Sequence, residues 1–249
     1  MSDASDAAIV FKGVSKAFND RKVLDDVSFE IAKGEALCIL GRSGTGKSVT
    51  LKLTVGLLRP EKGQICIENE DIVNMDEDQL SRVRRKMGFL FQSAALFDSF
   101  SLNDNLAIPL RRFNPKMAPG EIDSLVHRTL DEVGLGNDRQ KMPAELSGGM
   151  RKRAGLARAL ILDPSILLVD EPSSGLDRVT SSEIDELLLN LKEKKKTTMI
   201  IVTHDIRGAR RVGDRLAVLE KEKLVAIGKA EELEKNENKL VKALVSETD

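Results

Sequence analysis

The spacing of apolar residues predicts two kinds of strand in the first part of the chain. "IVFKGVSKAF" (residues 9–18) and "VLDDVSFEI" (residues 23–31) alternate apolar and polar positions. This period of two is typical of half-exposed, antiparallel strands. "EALCIL" (residues 35–40) is instead a continuous apolar run, as expected of a strand that is buried on both faces. A helix is predicted to follow it over residues 47–58.

The helical period dominates between residues 93 and 162. In "GEIDSLVHRTLDEVG" (residues 120–134) the apolar residues share one helix face, and Gly134 predicts the end of the helix. Strands then alternate with helices again, through the buried runs "SILLVD" (165–170) and "TMIIVT" (198–203). This order predicts an α/β fold with a mainly parallel sheet, an antiparallel β edge and a helical insert at about residues 93–162. We expect one domain over residues 7–228, followed by a charged tail over residues 229–249.

Composition and charge narrow the class of protein. The chain has 41% hydrophobic and 32% charged residues, typical of a soluble globular protein. Its net charge of −1 argues against a protein that holds nucleic acid by bulk electrostatics. No apolar run approaches the roughly 18–20 residues that cross a bilayer, and the start "MSDASDAA" lacks the features of a signal peptide. Cys38 and Cys66 lie in strand-like runs, which predicts buried thiols and fits a reducing cytoplasm.

The segment "GRSGTGKS" lies between the buried strand and the predicted helix, the context of a glycine-rich phosphate loop. Glycines allow consecutive backbone N–H groups to point at phosphate oxygens, with the helix N-terminus behind them. Lys47 is expected to reach the β- and γ-phosphates, and the Ser48 hydroxyl to bind Mg²⁺. The nucleotide-binding residues expected in this loop are Gly41, Arg42, Ser43, Gly44, Thr45, Gly46, Lys47 and Ser48.

Three further polar residues follow predicted parallel strands. Asp170 and Glu171 end the run "SILLVDE". Neighbouring strand residues point to opposite sides, so these carboxylates need not do the same job. Asp170 is the candidate for Mg²⁺, through water, and Glu171 for the general base that polarises the attacking water. His204 follows the next buried strand at its carboxyl end, where parallel sheets place their ligands, and its neutral imidazole is a candidate to bond the γ-phosphate and position the water.

Gln92 and Phe18 are candidates from the edges of the predicted sheets. Gln92 ends "GFLFQ" (88–92) where the insert begins, so it is expected to touch Mg²⁺ or water and to transmit movement of the insert. The chain has no Trp or Tyr, and all its Phe residues lie at or before Phe113. An aromatic that stacks on adenine must therefore come from the first half of the chain. Phe18, at a strand end before the phosphate loop, is the candidate; core packing is the alternative.

These residues, together with "LSGGM" (146–150) and "SSGLD" (173–177), resemble the ATP-binding cassette (ABC) ATPases along nearly the whole chain. In that comparison "GRSGTGKS" is similar to the Walker A loop, "ILLVDE" to Walker B, "LSGGM" to the signature, "SSGLD" to the D-loop and His204 to the switch histidine. The signature usually ends in Gln, and here the position is Met150. The resemblance implies Mg²⁺-dependent ATP hydrolysis by a head-to-tail homodimer. The residues expected to contact ATP held by the partner subunit are Ser147, Gly148 and Gly149.

Three basic residues, Arg151, Lys152 and Arg153, directly follow the signature. A helix start is already positive, so this position is unfavourable for cations unless an anion is near. The resemblance makes the triphosphate of ATP that anion. Only about one residue in three or four shares a side of a helix. We therefore expect at least one of these side chains to point elsewhere, towards an acidic surface or a partner.

A narrower resemblance concerns "GTGKSV", "LFQSAALFDSFSLNDNLAIPL" and "SGGMRKRAGLARAL". These segments are similar to the cassette ATPases of Mce/Mla-type lipid transporters, which move phospholipids or other lipids between membranes. The resemblance implies a separate integral-membrane permease, an Mce-domain lipid-binding protein and a peripheral location on the cytoplasmic face of the inner (plasma) membrane. The permease is expected to dock on residues 95–110, from Ala95 to Leu110; the alternative is that the apolar side chains of this segment only pack the helical insert on the core. Import of another small solute, or a soluble ATPase such as one of iron–sulfur cluster assembly, is the alternative.

Overall fold

A four-stranded antiparallel sheet forms one edge of the protein, whose computed structural model describes residues 7–246. In spatial order its strands are β2 (Arg21–Ala32), β1 (Ala7–Phe18), β4 (Lys62–Ile67) and β5 (Glu70–Asp71). The β1 and β2 strands pair antiparallel, from Ala7 opposite Ala32 to Phe18 opposite Arg21. The antiparallel pair predicted from the alternating pattern is therefore confirmed.

A six-stranded, mainly parallel sheet forms the centre. Its spatial order is β10 (Lys223–Gly228), β9 (Arg215–Glu220), β3 (Ala36–Leu40), β8 (Thr198–Val202), β7 (Ile166–Asp170) and β6 (Met87–Leu90). All neighbours run parallel except β10, which pairs antiparallel with β9 at the edge. The predicted α/β class is confirmed.

Both faces of this central sheet are covered, which explains its continuous apolar strands. Leu37 and Ile39 pack with the antiparallel sheet and with helices α1 (Lys47–Thr54) and α2 (Glu77–Arg84). Cys38 and Leu40, from the alternate positions of the same strand, pack with the helices on the opposite face. Cys38 is buried as predicted. The prediction for the other thiol is wrong, because Cys66 lies in the edge sheet and is only partly buried.

The first helix is about one turn shorter than predicted. It ends at Thr54 rather than at residue 58. Gly56 takes a left-handed φ of +67°, and the Leu57 and Leu58 N–H groups both donate to the Lys52 carbonyl, at 2.9 and 3.2 Å. This turn closes the helix end, as left-handed glycines commonly do.

The insert between β6 and β7 is helical, as predicted. It contains α3 (Leu102–Phe113), α4 (Pro119–Glu132), two short 3₁₀ helices (Gly136–Asp138 and Pro143–Glu145) and α5 (Gly148–Leu160). Gly134, at φ +71°, follows the end of α4. Apolar residues of all three α-helices, including Leu106, Leu130 and Leu156, join the hydrophobic cluster on one face of the central sheet.

The remaining helices return the chain to the same face. They are α6 (Arg178–Lys195), α7 (Ile206–Val212), α8 (Ala230–Leu233) and α9 (Lys239–Val245). Leu233, Val241 and Val245 are buried in the cluster that α3, α4 and α5 share. Residues 229–246 are thus packed on the domain. Over residues 7–246, no helix has both the length and the apolar character needed to cross a membrane.

Candidate active site

A cleft of about 460 Å³ opens at the carboxyl ends of β3, β7 and β8. Parallel sheets place their ligands at this edge. The residues that line the cleft are Val23, Ser43, Gly44, Gly46, Lys47, Ser48, Val49, Gln92, Glu171 and His204. Folding thus brings together residues from the phosphate loop, from the end of "GFLFQ" and from the ends of two buried strands.

The phosphate loop joins β3 to α1 and presents the helix N-terminus to the cleft. Gly46 occupies the N-cap with φ +98°, and no side chain caps the helix. A Cβ at Gly46 would lie 2.8 Å from the Val23 carbonyl oxygen, so only glycine fits there. The uncapped first turn leaves N–H groups and the positive end of the helix dipole for an anion.

Lys47 is almost fully buried beneath this loop. Its Nζ donates to the Gly41 carbonyl at 2.8 Å and to the Arg42 carbonyl at 3.1 Å. Burial lowers the pKa of Lys47, and the nearby Glu171 and Asp170 carboxylates act in the opposite direction. Both hydrogen-bond acceptors are neutral carbonyls, so neither of them cancels the positive charge of the ammonium beside the cleft.

Ser48 in α1 and Asp170 at the end of β7 bring two side-chain oxygen atoms together. The Ser48 hydroxyl donates to Asp170 Oδ1 at 2.9 Å. Burial raises the pKa of Asp170, and the hydrogen bond from Ser48 opposes that shift. A hydroxyl and a carboxylate are the kind of hard oxygen donors that Mg²⁺ accepts, usually with substrate phosphates as further ligands. The donor set therefore fits a Mg²⁺ ion bound together with a nucleotide.

Glu171 leaves the strand in an unusual backbone conformation. Its φ is +49°, a left-handed value that is uncommon for a residue other than glycine. Its N–H donates to the Val202 carbonyl at 2.8 Å, and its carbonyl accepts from Lys152 Nζ at 2.6 Å. The kink separates the Glu171 side chain from Asp170 and directs it towards His204.

The Glu171 carboxylate contacts the exposed imidazole of His204. Glu171 Oε2 and His204 Nδ1 lie 2.7 Å apart. An ionised carboxylate only accepts hydrogen bonds, so this contact needs a proton on Nδ1. In the neutral form of that tautomer Nε2 is an acceptor. The ring can then donate to a phosphate oxygen only by releasing Glu171 or by taking up a second proton.

Gln92 lines the cleft, whereas Phe18 does not. Gln92 Nε2 lies 3.4 Å from the Ser174 hydroxyl, so the amide joins the cleft to the "SSGLD" segment. Phe18 is 43% exposed, and the Lys16 ammonium lies 5.2 Å from the centre of its ring. Among the residues described, Val23 and Val49 are the branched apolar side chains that line the cleft.

The signature residues lie at the start of α5, away from the cleft of their own chain. Ser147 is the N-cap, and its hydroxyl accepts the Met150 N–H at 3.2 Å. A Cβ at Gly149 would lie 2.3 Å from the Thr180 side chain, so glycine allows α5 to approach α6 closely. The residues that line the cleft include none of Ser147, Gly148 and Gly149.

The segment from Ala95 to Leu110 contains a buried anchoring residue, Asn105, and an exposed pair of aromatic side chains. Phe97 and Phe100 are 48% and 44% exposed, and their rings pack edge to face with centres 6.0 Å apart. The buried Asn105 side chain accepts from the Phe97 N–H at 2.8 Å and donates to the carbonyls of Phe97, Phe100 and Ser101 at 2.9–3.1 Å. These bonds fix the loop that presents both rings to solvent.

Sequence reasoning missed three residues that shape this region: Val23, Asn105 and Lys152. Val23 and Asn105 occupy ordinary positions in a strand and a helix, and no local signal distinguishes them. Lys152 belongs to the basic cluster after the signature, from which at least one residue was expected to point elsewhere. Lys152 does point elsewhere, but not towards the acidic surface or partner that was expected, since its Nζ donates to the carbonyl of Glu171 within the same chain.

The comparisons with known proteins agree with this geometry. A family model described as ABC transporter matches residues 24–174. This chain belongs to the ABC transporter family. It is 45% identical to the probable ribonucleotide transport ATP-binding protein mkl of Mycobacterium leprae, over 96% of this chain and 69% of that protein. It is 37% identical to the intermembrane phospholipid transport system ATP-binding protein MlaF of Haemophilus influenzae, over 97% of this chain and 91% of that protein.

Solved structures lead to the same family. The dimeric structure of the bacterial ABC transporter cassette MJ0796 matches with a TM-score of 0.83 and 33% identity, over 89% of this chain and 98% of that one. A dimeric post-hydrolysis structure of the same cassette, bound to ADP and Pi, matches with a TM-score of 0.82 and 32% identity, over 89% of this chain and 98% of that one. The chain is the ATP-hydrolysing subunit of an ABC transporter.

Proposed function

We propose that this ABC ATPase powers phospholipid transport through a separate membrane permease. The observation that supports this cargo is the nearly full-length correspondence with MlaF, a protein named for phospholipid transport. The name of mkl favours a second candidate, ribonucleotide transport; this relative matches at higher identity but over a smaller share of its own length. The three segments that resemble the Mce/Mla-type lipid transporter ATPases give further support to phospholipid as the cargo.

The chemistry begins with the triphosphate of ATP in the cleft. The loop from Gly41 to Ser48 binds the phosphates through its N–H groups and the Lys47 ammonium. Ser48 and Asp170 would hold Mg²⁺, with Gln92 as a further oxygen ligand or a contact to the attacking water. The ion, when bound, neutralises charge on the β- and γ-phosphates.

Glu171 is the proposed general base. It accepts a proton from the water that attacks the γ-phosphate, while His204 orients the carboxylate through the proton on its Nδ1. The 2.7 Å contact between Glu171 Oε2 and His204 Nδ1 supports this pairing, because it fixes the direction of the carboxylate. Phe18 is proposed to stack on adenine when a nucleotide binds, beside Val23.

Two copies of the chain are proposed to act together, head to tail. The support is that Ser147, Gly148 and Gly149 lie away from the cleft of their own chain, at a helix start suited to an anion. In a head-to-tail homodimer this helix start closes on the γ-phosphate that the partner subunit holds. A related cassette, MJ0796, has been solved as a dimer in two structures.

The partners proposed outside the homodimer are a permease, docked on the segment from Ala95 to Leu110, and an Mce-domain lipid-binding protein. The exposed pair Phe97 and Phe100 supports this docking site, because aromatic side chains commonly anchor protein interfaces. The ATPase would then lie on the cytoplasmic face of the inner membrane through its permease.

The cargo is tested by reconstituting the complete complex, purified through its permease, into vesicles. ATP-dependent movement of a fluorescent phospholipid is measured beside ATP-dependent uptake of a radiolabelled ribonucleotide. We expect phospholipid movement that is lost in the Glu171→Gln complex, and no ribonucleotide uptake. Ribonucleotide uptake without phospholipid movement would support the second candidate and contradict the first.

A further inference from the structure

The backbone of Glu171 is held from two sides. A left-handed conformation is unfavourable for a residue with a side chain and persists only where the surroundings fix it. On one side the Val202 carbonyl in β8 accepts the Glu171 N–H at 2.8 Å. On the other side Lys152 Nζ donates to the Glu171 carbonyl at 2.6 Å. The first bond comes from the neighbouring strand and the second from the insert.

Lys152 is an unusual choice of donor for this position. It is 6% exposed, and lysine is rarely so buried unless it has a partner. Its burial lowers the pKa of the ammonium, and the charges of Glu171 and Asp170 act against that shift. The adjacent Arg151 donates instead to the Leu146 carbonyl, within the insert. Lys152 therefore connects α5 to the end of the catalytic strand.

We propose that Lys152 is a positioning residue for Glu171. By bonding the carbonyl of that residue, it keeps the backbone left-handed and the carboxylate directed at His204 and the attacking water. This inference rests on the proposed role of Glu171 as general base. It assigns to Lys152 no contact with ATP.

The position of Lys152 in α5 also connects Glu171 to the signature residues. Lys152 lies on α5, the helix whose N-terminus carries Ser147, Gly148 and Gly149. A helix moves as one rigid element, so a shift of α5 alters the distance from Lys152 Nζ to the Glu171 carbonyl. The geometry of the base thereby depends on the position of the signature helix.

The experiment compares Lys152→Met and Lys152→Gln with wild type in ATP hydrolysis. Both replacements are one atom shorter than Lys. Met removes the donor, and Gln keeps a polar group that ends about one bond short of the Glu171 carbonyl. Displacement of a catalytic group by about 1 Å can cost roughly 100-fold in rate. We expect kcat to fall about 10- to 100-fold, with KM and the ATP dissociation constant changed less than about twofold. Lys152→Arg, which keeps a charged donor, should recover most of the lost kcat.

Lys192→Met is the matched control, because Lys192 Nζ also donates to a backbone carbonyl, that of Val212, at 3.0 Å but away from the cleft. Its kcat should stay near wild type. A folded Met or Gln variant with the kcat of this control would overturn the proposal. So would failure of both variants to fold while the control folds, since Lys152 would then be a structural residue.

The Glu171→Gln variant separates this inference from the function on which it rests. If Glu171→Gln is inactive and Lys152→Met is normal, only the positioning role is wrong. If Glu171→Gln hydrolyses ATP at the normal rate, the base assignment is wrong and the inference fails with it. If Glu171 is the base and Lys152 positions it, adding Lys152→Met to Glu171→Gln should reduce the residual hydrolysis no further. The carboxylate that Lys152 positions is already absent from that variant.

Discussion

Replacing Asp185 by Asn should stabilise the protein at neutral pH and above. Asp185 lies in α6 and is 8% exposed. Burial raises the pKa of its carboxyl group from 3.8 to about 6, with a further increase from the nearby Asp205 and an opposing effect of Arg211. The ionised carboxylate is therefore unfavourable in the folded state. Asn has a similar shape and carries no charge.

The size of the gain follows from linkage between protonation and folding. The unfolded Asp185 loses its proton near pH 3.8 and the folded one near pH 6, so wild-type stability falls as pH rises between these values. A pKa difference of roughly two units corresponds to about 3 kcal/mol at pH 8. The same linkage gives about half of that at pH 5 and little below pH 4.

The assay is guanidinium unfolding of wild type and Asp185→Asn, followed by circular dichroism at pH 8 and pH 5. We expect the variant to be more stable at pH 8 by about 1–3 kcal/mol, with a smaller difference at pH 5. Asp163→Asn is the control, because that side chain is 90% exposed and its replacement should change little. A variant that is no more stable at pH 8, or equally stabilised at both pH values, would refute the reasoning.

Three further predictions concern the cleft and the docking segment. The double variant Phe97→Ala, Phe100→Ala should fold and bind ATP normally, since both rings are about half exposed. The permease should no longer co-purify with it. A stable double variant that still binds its permease would contradict the docking site. Phe18→Ala should raise the ATP dissociation constant about two- to tenfold, and unchanged fluorescence of Phe18→Trp on adding ATP would rule out stacking. Gly46→Ala should abolish ATP binding, because its Cβ would lie 2.8 Å from the Val23 carbonyl; calorimetric binding near the wild-type affinity would contradict this.

The central sheet was predictable because its signal is local. Continuous apolar runs such as the one around Cys38 arise only where both faces are covered, and the structure covers both. Strand alternation also predicts different directions for Asp170 and Glu171. The structure separates them in another way, because Glu171 follows the end of β7 and has a left-handed backbone. The end of α1 was missed because Gly56 stops it in a turn whose bonds return to Lys52.

Contacts between distant elements were not predictable from local patterns. The left-handed backbone of Glu171 depends on β8 and on Lys152, which lies 19 positions earlier in the chain. The presence of Val23 in the cleft depends on how the edge sheet packs against the phosphate loop. Val241 packs in the core. In the sequence, the only sign of this packing is a short apolar pattern among the many charges of the tail.

The central claim is that Glu171 is the general base of ATP hydrolysis in this cleft. The most direct test is the rate of phosphate release by Glu171→Gln in Mg-ATP, with ATP binding and dimer formation recorded on the same sample. General-base catalysis commonly contributes about 100- to 10,000-fold. The account predicts a loss of that size, with ATP still bound and the dimer persisting. Phosphate release near the wild-type rate, or a variant that stays monomeric in Mg-ATP, would contradict it.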